Sequence, residues 1–356
     1  MPSVGVSLDP PHRRRTLHKE QHSKVRVWRE DCEGTATTSL AFIPSRVAGN
    51  RHQLAELHLF LQTTTMAAAG LSSKWITVSE PVPHVLHIEL ARKPVNAFSN
   101  EYWRAYGALF QRLATEGRDV RVAVVSSRIA KMFTAGIDFA AAGDIAQGGL
   151  SDVEALDGAR ASLSFHADIE EYQRAIGSPQ RCSFPVIVAV HGLVLGLGVD
   201  IVSACDIRYA AETAQFSIKE VDIGLAADVG SLAFLPKVVG NHSMLHEFAY
   251  STKLFSAADA LQMGLVSRVV PGNRDEVVRA ALELATLIAT KSPVAVSGTK
   301  RILNHSRDHS VAENLEYTAA WNAAALRTQD IPESLLAARE KRSTKFAPLR
   351  KPPARL

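Results

Sequence analysis

From residue 75 onward the apolar positions switch repeatedly between a spacing of two and a spacing of three to four. His84-Val85-Leu86-His87-Ile88-Glu89-Leu90 predicts a strand, closed by the turn-like Arg92-Lys93-Pro94. Ser99 or Asn100 opens a predicted helix in which Tyr102, Trp103, Tyr106, Leu109, Phe110 and Leu113 recur at helical spacing. Gly117 ends it. Val122-Ala123-Val124-Val125 and Pro185 to Val190 are unbroken apolar runs, the mark of strands buried on both faces. Residues 150–180 are amphipathic and helical in pattern, and a helical run up to Cys205 follows Gly192, Gly196 and Gly198. Short strands are predicted at Asp206 to Tyr209 and Ala214 to Ile218. Beyond Gly230 helices dominate: Ser256 caps one that stops at Gly264, and Ser292-Pro293 is a cap followed by proline at the first helical position. Strands alternating with helices, then helices alone, predict an α/β core with a helical C-terminal region.

Residues 1–65 break this regularity. Arg13-Arg14-Arg15, Pro10-Pro11 and Thr63-Thr64-Thr65 show no sustained period, apart from a short apolar-periodic piece near Leu54 to Leu61. Arginine richness fits an organelle transit sequence, but six acidic residues argue against one. A disordered extension is the simpler reading, and translation starting at Met66 is a third. The expected division is an extension over 1–70, a core over 71–270, a helical region over 271–345 and an extended tail over 346–356.

Charge changes the picture little. The chain of 356 residues carries a formal net charge of +4, of which residues 1–65 hold +3 and the remainder +1. A nucleic-acid reader more often shows a basic stripe on its folded part, so nucleic acid is not an expected partner. Cys32, Cys182 and Cys205 form no CxxC pair, which disfavours a disulfide framework or a four-cysteine zinc site and makes a reducing compartment the default. No apolar stretch approaches the ~20 residues of a membrane helix.

Four pieces carry candidate chemistry: Phe133-Thr134-Ala135-Gly136-Ile137-Asp138, His191 to Asp200, Lys219 to Leu225, and Ala226 to Gly230. Glycines at a strand-to-helix junction let backbone N–H groups approach a ligand, and the helix N-terminus adds positive potential. Two such loops aimed at one point would stabilise charge developing on a carbonyl oxygen. The spacing matches neither GxGxxG nor GxxxxGK[ST], so nucleotide-phosphate motifs are disfavoured. Asp200, Glu220 and Asp228 stand in mainly apolar runs, where a carboxyl is either paired or poised for proton transfer. Asp228 has no charged neighbour within five residues, which favours its neutral, proton-donating form. Glu220 beside Lys219 is expected to stay ionised more easily, as a base. Asp206 is expected to pair with Arg208, and Asp222 to be structural. His191 has no serine or cysteine nucleophile in a recognisable elbow, so a packed, hydrogen-bonded role is the simpler reading. No HExxH motif is present, and no metal site is expected.

At these pieces the chain resembles the crotonase superfamily, the enoyl-CoA hydratase/isomerase fold, and within it the Δ3,5-Δ2,4-dienoyl-CoA isomerase branch. The resemblance runs from about Val85 to about Arg327. Arg92-Lys93-Pro94-Val95-Asn96-Ala97 looks like the family's CoA-contacting turn, and Lys131 to Asp138 like its first oxyanion loop. Cys205-Asp206-Ile207-Arg208-Tyr209, Lys219 to Gly230 and Ser306 to Glu313 are especially close to the dienoyl isomerase pattern. A hydratase would show glutamate in place of Asp200 and a glycine-rich segment near 228, and monoenoyl isomerases generally rely on one principal carboxylate. One departure stands out: Gly196-Leu197-Gly198 replaces three consecutive glycines, so a leucine side chain has to be accommodated beside the acyl pocket.

The resemblance implies an α/β fold built as a spiral of repeated ββα units, with a C-terminal helical region for trimerisation. It implies isomerisation of a 3,5-dienoyl-CoA thioester, with Glu220 taking a C2 proton, Asp228 giving one at C6, and Asp200 orienting or tuning them. Oxyanion and substrate contacts fall on Ala135, Gly136, Ile137, Asp138, Leu197 and Gly198, with N–H donors at Ile137 and Leu197, and CoA contacts on Arg92, Lys93 and Ala97. No metal or redox cofactor is expected, CoA being part of the substrate. Homotrimers or hexamers are implied. Ala354-Arg355-Leu356 fits the SKL-type address read by the peroxisomal import receptor, with a mitochondrial location as the alternative. Rival readings are an enoyl-CoA hydratase or Δ3-Δ2-enoyl-CoA isomerase of the same fold, or a non-catalytic RNA- or protein-binding relative.

Overall fold

The computed structural model describes residues 68–138 and 157–349, together with the backbone of two strands nearer the N-terminus. Those two strands, β1 (Val25–Arg29) and β2 (Thr37–Ala41), pair antiparallel from Val25 opposite Ala41 to Arg29 opposite Thr37. No strand was expected there. Their β-branched residues, Val25, Val27, Thr37 and Thr38, suit an extended backbone even without a longer period. They belong to a unit that ends at Gln62, separate from the unit over Thr63–Leu356. The predicted short helix near Leu54 to Leu61 and the tripeptide Ala354-Arg355-Leu356 lie outside the described residues.

The larger unit is built on two sheets. β3 (Ile76–Val82) and β4 (Val85–Leu90) pair antiparallel, and β4 then runs parallel to β5 (Val122–Ser127). β7 (Val186–Val190), β9 (Ile207–Ala211) and β12 (Arg268–Val270) extend this sheet in the order β12-β9-β7-β5-β4-β3. The second sheet has the order β11-β10-β8-β6, from β6 (Met132–Thr134), β8 (Leu193–Leu195), β10 (Gln215–Ser217) and β11 (Phe255–Ser256). Successive strand pairs β5–β6, β7–β8 and β9–β10 each give one strand to either sheet, which is the repeating unit of a spiral. β11 and β12 lie in a stretch expected to be mostly helical. They are two and three residues long, too short to show a period.

Both faces of the larger sheet are covered, which is why its central strands read as unbroken apolar runs. Leu86, Ile88, Ala123, Val125, Val186 and Val188 point into the main core, and the alternating Val85, Val122, Val124, Ile187 and Ala189 into a second. The main core also takes α1 (Asn100–Thr115), whose buried residues are the six marked by periodicity, Tyr102 through Leu113. α2 (Gly158–Ile176) and the single turn α3 (Ser178–Arg181) follow, with Asp157 capping α2 through two backbone amides. α4 (Leu197–Ala204) is buried along its whole length. α5 (Ser231–Val238), α6 (His242–Ser251) and α7 (Ala257–Met263) pack around the smaller sheet's side of the core.

α8 (Arg274–Ala289) closes the second face with Val277, Val278, Ala281 and Ala285, so it belongs to the core rather than to a separate helical region starting at residue 271. Beyond it come α9 (Pro293–His305), α10 (Val311–Ala325) and α11 (Asp330–Glu340). α10 has no buried residue, and Leu303, Val311, Leu315, Leu326 and Leu335 stand exposed on this region. No helix among the described residues is long and apolar enough to cross a membrane.

One interior charge pair differs from expectation. Asp206 does not pair with Arg208; its carboxylate lies 2.7 Å from Lys300 Nζ and accepts from the Val186 amide. Arg208 instead donates to the carbonyls of Cys205 and Leu265. Lys300 is buried, and its remaining protons go to the carbonyls of Pro179 and Phe184, so every hydrogen-bonding direction is used. A long side chain from α9 thus outcompetes the nearby Arg208, which local sequence cannot reveal. Lys300→Ala leaves Asp206 as an uncompensated interior charge and is expected to cost about 3–5 kcal/mol, read as a fall in the urea midpoint at pH 7.

Candidate active site

The first loop of the site begins with Asn96, which is fully buried at φ 51. Its side-chain amide donates to Leu90 O, Ser127 Oγ and Phe133 O, and its oxygen accepts from the Arg92 amide at 2.7 Å. Thr134 Oγ1 donates back to Asn96 O at 2.6 Å. One side chain thereby ties the 92–97 turn to β4, β5 and β6. Arg92 also pairs with Asp138 at 2.8 Å and donates to Ala97 O. Arg92, Ala97 and Asp138 are therefore linked to one another, and Lys93 is exposed on the same turn.

The amides of the next loop are mostly spoken for. Ala135 N–H donates to Val95 O, Gly136 N–H to Thr134 Oγ1 and Asp138 N–H to Phe98 O. Among the described residues the Ile137 N–H has no partner. The second loop behaves alike: Gly196 N–H donates to Ser217 O and Val199 N–H to Gly196 O, while the Leu197 and Gly198 amides that open α4 have no partner among the described residues. Gly136 brings the two loops together. It has φ +91, and a Cβ there would lie 3.0 Å from Leu195 O and 3.7 Å from the Leu197 nitrogen. The Leu197 side chain is buried in the main core, which is how the departure from three glycines is accommodated. Gly198 lies against Thr134.

The three carboxyls converge beside the second loop. Glu220 opens a 3-10 turn (Glu220–Ile223), and its Oε1 lies 3.1 Å from where a Cβ on Gly196 would stand. Its Oε2 is buried with no hydrogen-bond partner. Lys219 does not hold Glu220 ionised as expected: its ammonium reaches Asp222 instead, at 2.7 Å, and Asp222 also accepts from Thr252. Burial, then the charge of Asp200 and of Asp228, pushes the Glu220 carboxyl up to about 7. Asp200, on α4, is 1% exposed and accepts from the Ser231 amide at 2.5 Å. Burial pushes it up to about 6 against that hydrogen bond, and the charge of Asp228 adds to the rise. Asp228 differs from expectation in being exposed to solvent, yet residual desolvation still raises its carboxyl. It stands at the rim of the cluster.

Two neighbours were not anticipated. Gln173 Nε2 donates to Asp228 O at 2.6 Å, which fixes the rim to α2. Tyr172, the preceding residue, is 5% exposed and its hydroxyl has no partner. A tyrosine on the buried side of an amphipathic helix, one turn before Ala175 and Ile176, was the available signal, because its hydroxyl needs somewhere to go. His191 lies away from the acids. It is buried, its Nε2 sits 2.9 Å from Ile129 O, and burial lowers its pKa.

A base with a raised pKa opposes folding once it is charged. Because the Glu220 pKa is higher in the folded chain than in the unfolded one, its contribution favours folding at low pH and fades as pH rises towards about 7. Glu220→Gln is therefore expected to be more stable than the parent at pH 8, by on the order of 2 kcal/mol. The gap should close below pH 5, and paired thermal melts at the two pH values check it.

Comparison with known proteins places the chain in a family. The enoyl-CoA hydratase/isomerase family model matches residues 82–348. A mitochondrial Δ(3,5)-Δ(2,4)-dienoyl-CoA isomerase of Mus musculus is 47% identical over 271 residues, covering 76% of this chain and 81% of that protein. A peroxisomal Δ(3,5)-Δ(2,4)-dienoyl-CoA isomerase of Arabidopsis thaliana is 38% identical over 266 residues, covering 74% and 93%. A crystal structure of a putative enoyl-CoA hydratase from Streptomyces coelicolor superposes with a TM-score of 0.67 at 26% identity, covering 78% of this chain and 96% of that one. By the family model and these relatives, the chain belongs to the enoyl-CoA hydratase/isomerase family, the crotonase superfamily.

Proposed function

We propose that this protein isomerises 3,5-dienoyl-CoA thioesters to 2,4-dienoyl-CoA thioesters. The observation that carries the reading is the placement of the Glu220 carboxyl against Gly196, next to the unpaired Leu197 amide, within a cluster that also holds Asp200 and Asp228. Relatives of this activity at 47% and 38% identity support it.

Removing a C2 proton from the thioester places negative charge on its oxygen and, through conjugation, along the chain to C6. The Ile137 and Leu197 amides are suited to receive that oxygen; one such donor is worth about 3 kcal/mol in the transition state. Glu220, with its free Oε2 and a pKa near 7, takes the C2 proton. Asp228 supplies a proton at C6 as the double bonds shift. Solvent contact at the rim gives Asp228 a route to recover its proton, and Glu220 a route to lose its own through the cluster. A proton moves and no net electrons do, so the reaction calls for no redox cofactor or metal, and CoA enters only as part of the substrate. Arg92, Lys93 and Ala97 are the candidate contacts for the CoA portion, with Arg92 already oriented by Asp138.

The exposed leucines and Val311 of α9, α10 and α11 suit a contact with further copies of the chain, as a homotrimer or hexamer. The relatives carry both mitochondrial and peroxisomal names, and the C-terminal Ala354-Arg355-Leu356 favours the peroxisome through its import receptor.

Asp228→Asn is expected to lower kcat by at least 100-fold with CoA-ester binding largely intact, followed by ultraviolet absorbance as a 3,5-dienoyl-CoA becomes conjugated with its thioester. Near-native turnover removes Asp228 from the reaction, and turnover of a 2-enoyl-CoA alone makes the protein a hydratase. The acid limb of kcat/KM is expected near pH 7, falling as Glu220 takes up a proton. A fluorescent fusion ending in Ala354-Arg355-Leu356 is expected in punctate peroxisomes; a diffuse or mitochondrial signal overturns the address.

A further inference from the structure

Tyr172 has no role in the reaction as described, and its surroundings are unusual. Its ring stacks on Trp103 of α1 at 4.6 Å between centroids and 25° between planes. Gly107, one turn further along α1, lets α2 approach so closely that a Cβ there would lie 2.7 Å from Ala175 Cβ. The next residue, Gln173, is bonded to the backbone of Asp228. α2 is thus fixed on both sides, with its Tyr172 hydroxyl buried and unpartnered. The ionisable groups acting on that hydroxyl are Asp200 first, then Asp228 and Glu220, coming from α4, the loop before α5 and the 3-10 turn. Several charged groups of α1, α2 and α3 are engaged elsewhere: Arg104 with Glu171, Arg112 with Glu116, Arg160 with Asp157, Arg174 with Glu170, and Arg181 with the Arg174 carbonyl.

Around the cluster, Tyr172 Oη and Ser231 Oγ are buried hydroxyls without partners, and Glu220 Oε2 is a buried acceptor without one. Ser231 already bonds Asp200 through its amide, which leaves Tyr172 as the hydroxyl brought in from a separate helix. Buried polar groups left without partners are costly, and one water between a donor and an acceptor at the same cluster offsets both costs. We propose that Tyr172 is a positioning residue whose hydroxyl donates, directly or through one water, to the carboxylate cluster and keeps it in its less protonated form. Burial and the acids raise the phenol far above neutrality, so it stays a donor throughout turnover. A donor to an ionised carboxyl favours that ion, opposing the burial and mutual repulsion that hold these acids protonated. Its effect belongs to the coupled titration of the group rather than to one residue.

The test is a carboxyl 13C NMR titration of the full chain, with assignments from Asp200→Asn and Glu220→Gln, run on the parent and on Tyr172→Phe. Tyr172→Phe keeps the ring on Trp103, and its expected result is an upward move of the lowest cluster titration by at least about half a pH unit. Replacement of Tyr172 by 3-fluorotyrosine, a stronger donor of nearly the same shape, is expected to move it downward. The acid limb of kcat/KM for a 3,5-dienoyl-CoA should follow the same signs, and only that kinetic arm rests on the proposed isomerase activity. Superimposable carboxyl titrations in parent and fluorotyrosine protein overturn the proposal, as does a Tyr172→Phe effect confined to KM with no titration shift. Should the parent fail to turn over the dienoyl ester, the functional reading falls while the titrations still decide the role of Tyr172.

Discussion

Asp200, Glu220 and Asp228 occupy one cluster in which burial raises every carboxyl and the charge of its neighbours raises the first two further. The cluster therefore gives up its protons at higher pH than free carboxyls do, with Glu220 holding on longest of the two sealed acids. That constraint is what a proton-shifting site requires. A base must be empty while an acid, a few ångströms along a conjugated chain, is loaded. Their unequal surroundings separate the roles: Asp200 is sealed and amide-bonded, Glu220 is half-buried with one free oxygen, and Asp228 meets solvent. The same residue type thus serves different ends according to its hydration.

The fold keeps these groups together by arrangements whose own requirements lie elsewhere. Asp200 rides on an eight-residue helix buried on all sides, so its position is set by core packing. Glu220 and Asp228 lie in a segment with little packing of its own, where Val221 and Ile223 are exposed. That segment is held from outside, by Lys219 and Thr252 on Asp222 and by Gln173 on the Asp228 carbonyl. The rigid acid and the two acids on a tethered loop therefore answer to different parts of the structure.

Much of this was legible in the sequence, for a physical reason. Where a face is fully buried, periodicity reports it: all six apolar positions of α1 are interior, and the unbroken runs at Val122 and Val186 mark a sheet covered twice. The three acids stood out because carboxylates in apolar runs are rare. What sequence could not supply was choice of partner across distance. Lys300 lies 94 positions from Asp206, Lys219 turns to Asp222 rather than to adjacent Glu220, and Gln173 holds the Asp228 carbonyl from another helix. The short ladder at Val25 and Thr37 was missed for a different reason: five-residue strands leave too few repeats for a period to rise above composition.

The paired loops show why Leu197 is compatible with the site. Backbone amides are insensitive to the side chain they carry, so an oxyanion pocket tolerates substitution wherever the side chain has another place to go. Leu197 opens a helix whose interior side faces the main core, and its side chain is absorbed there. The demanding positions are those that set the amides' direction. Gly136 needs its positive φ and its close approach to Leu195, and Asn96 needs all four of its hydrogen bonds to hold the preceding turn. The direction of these amides thus rests on Gly136 and Asn96. Leu197 fills core volume and leaves its N–H free.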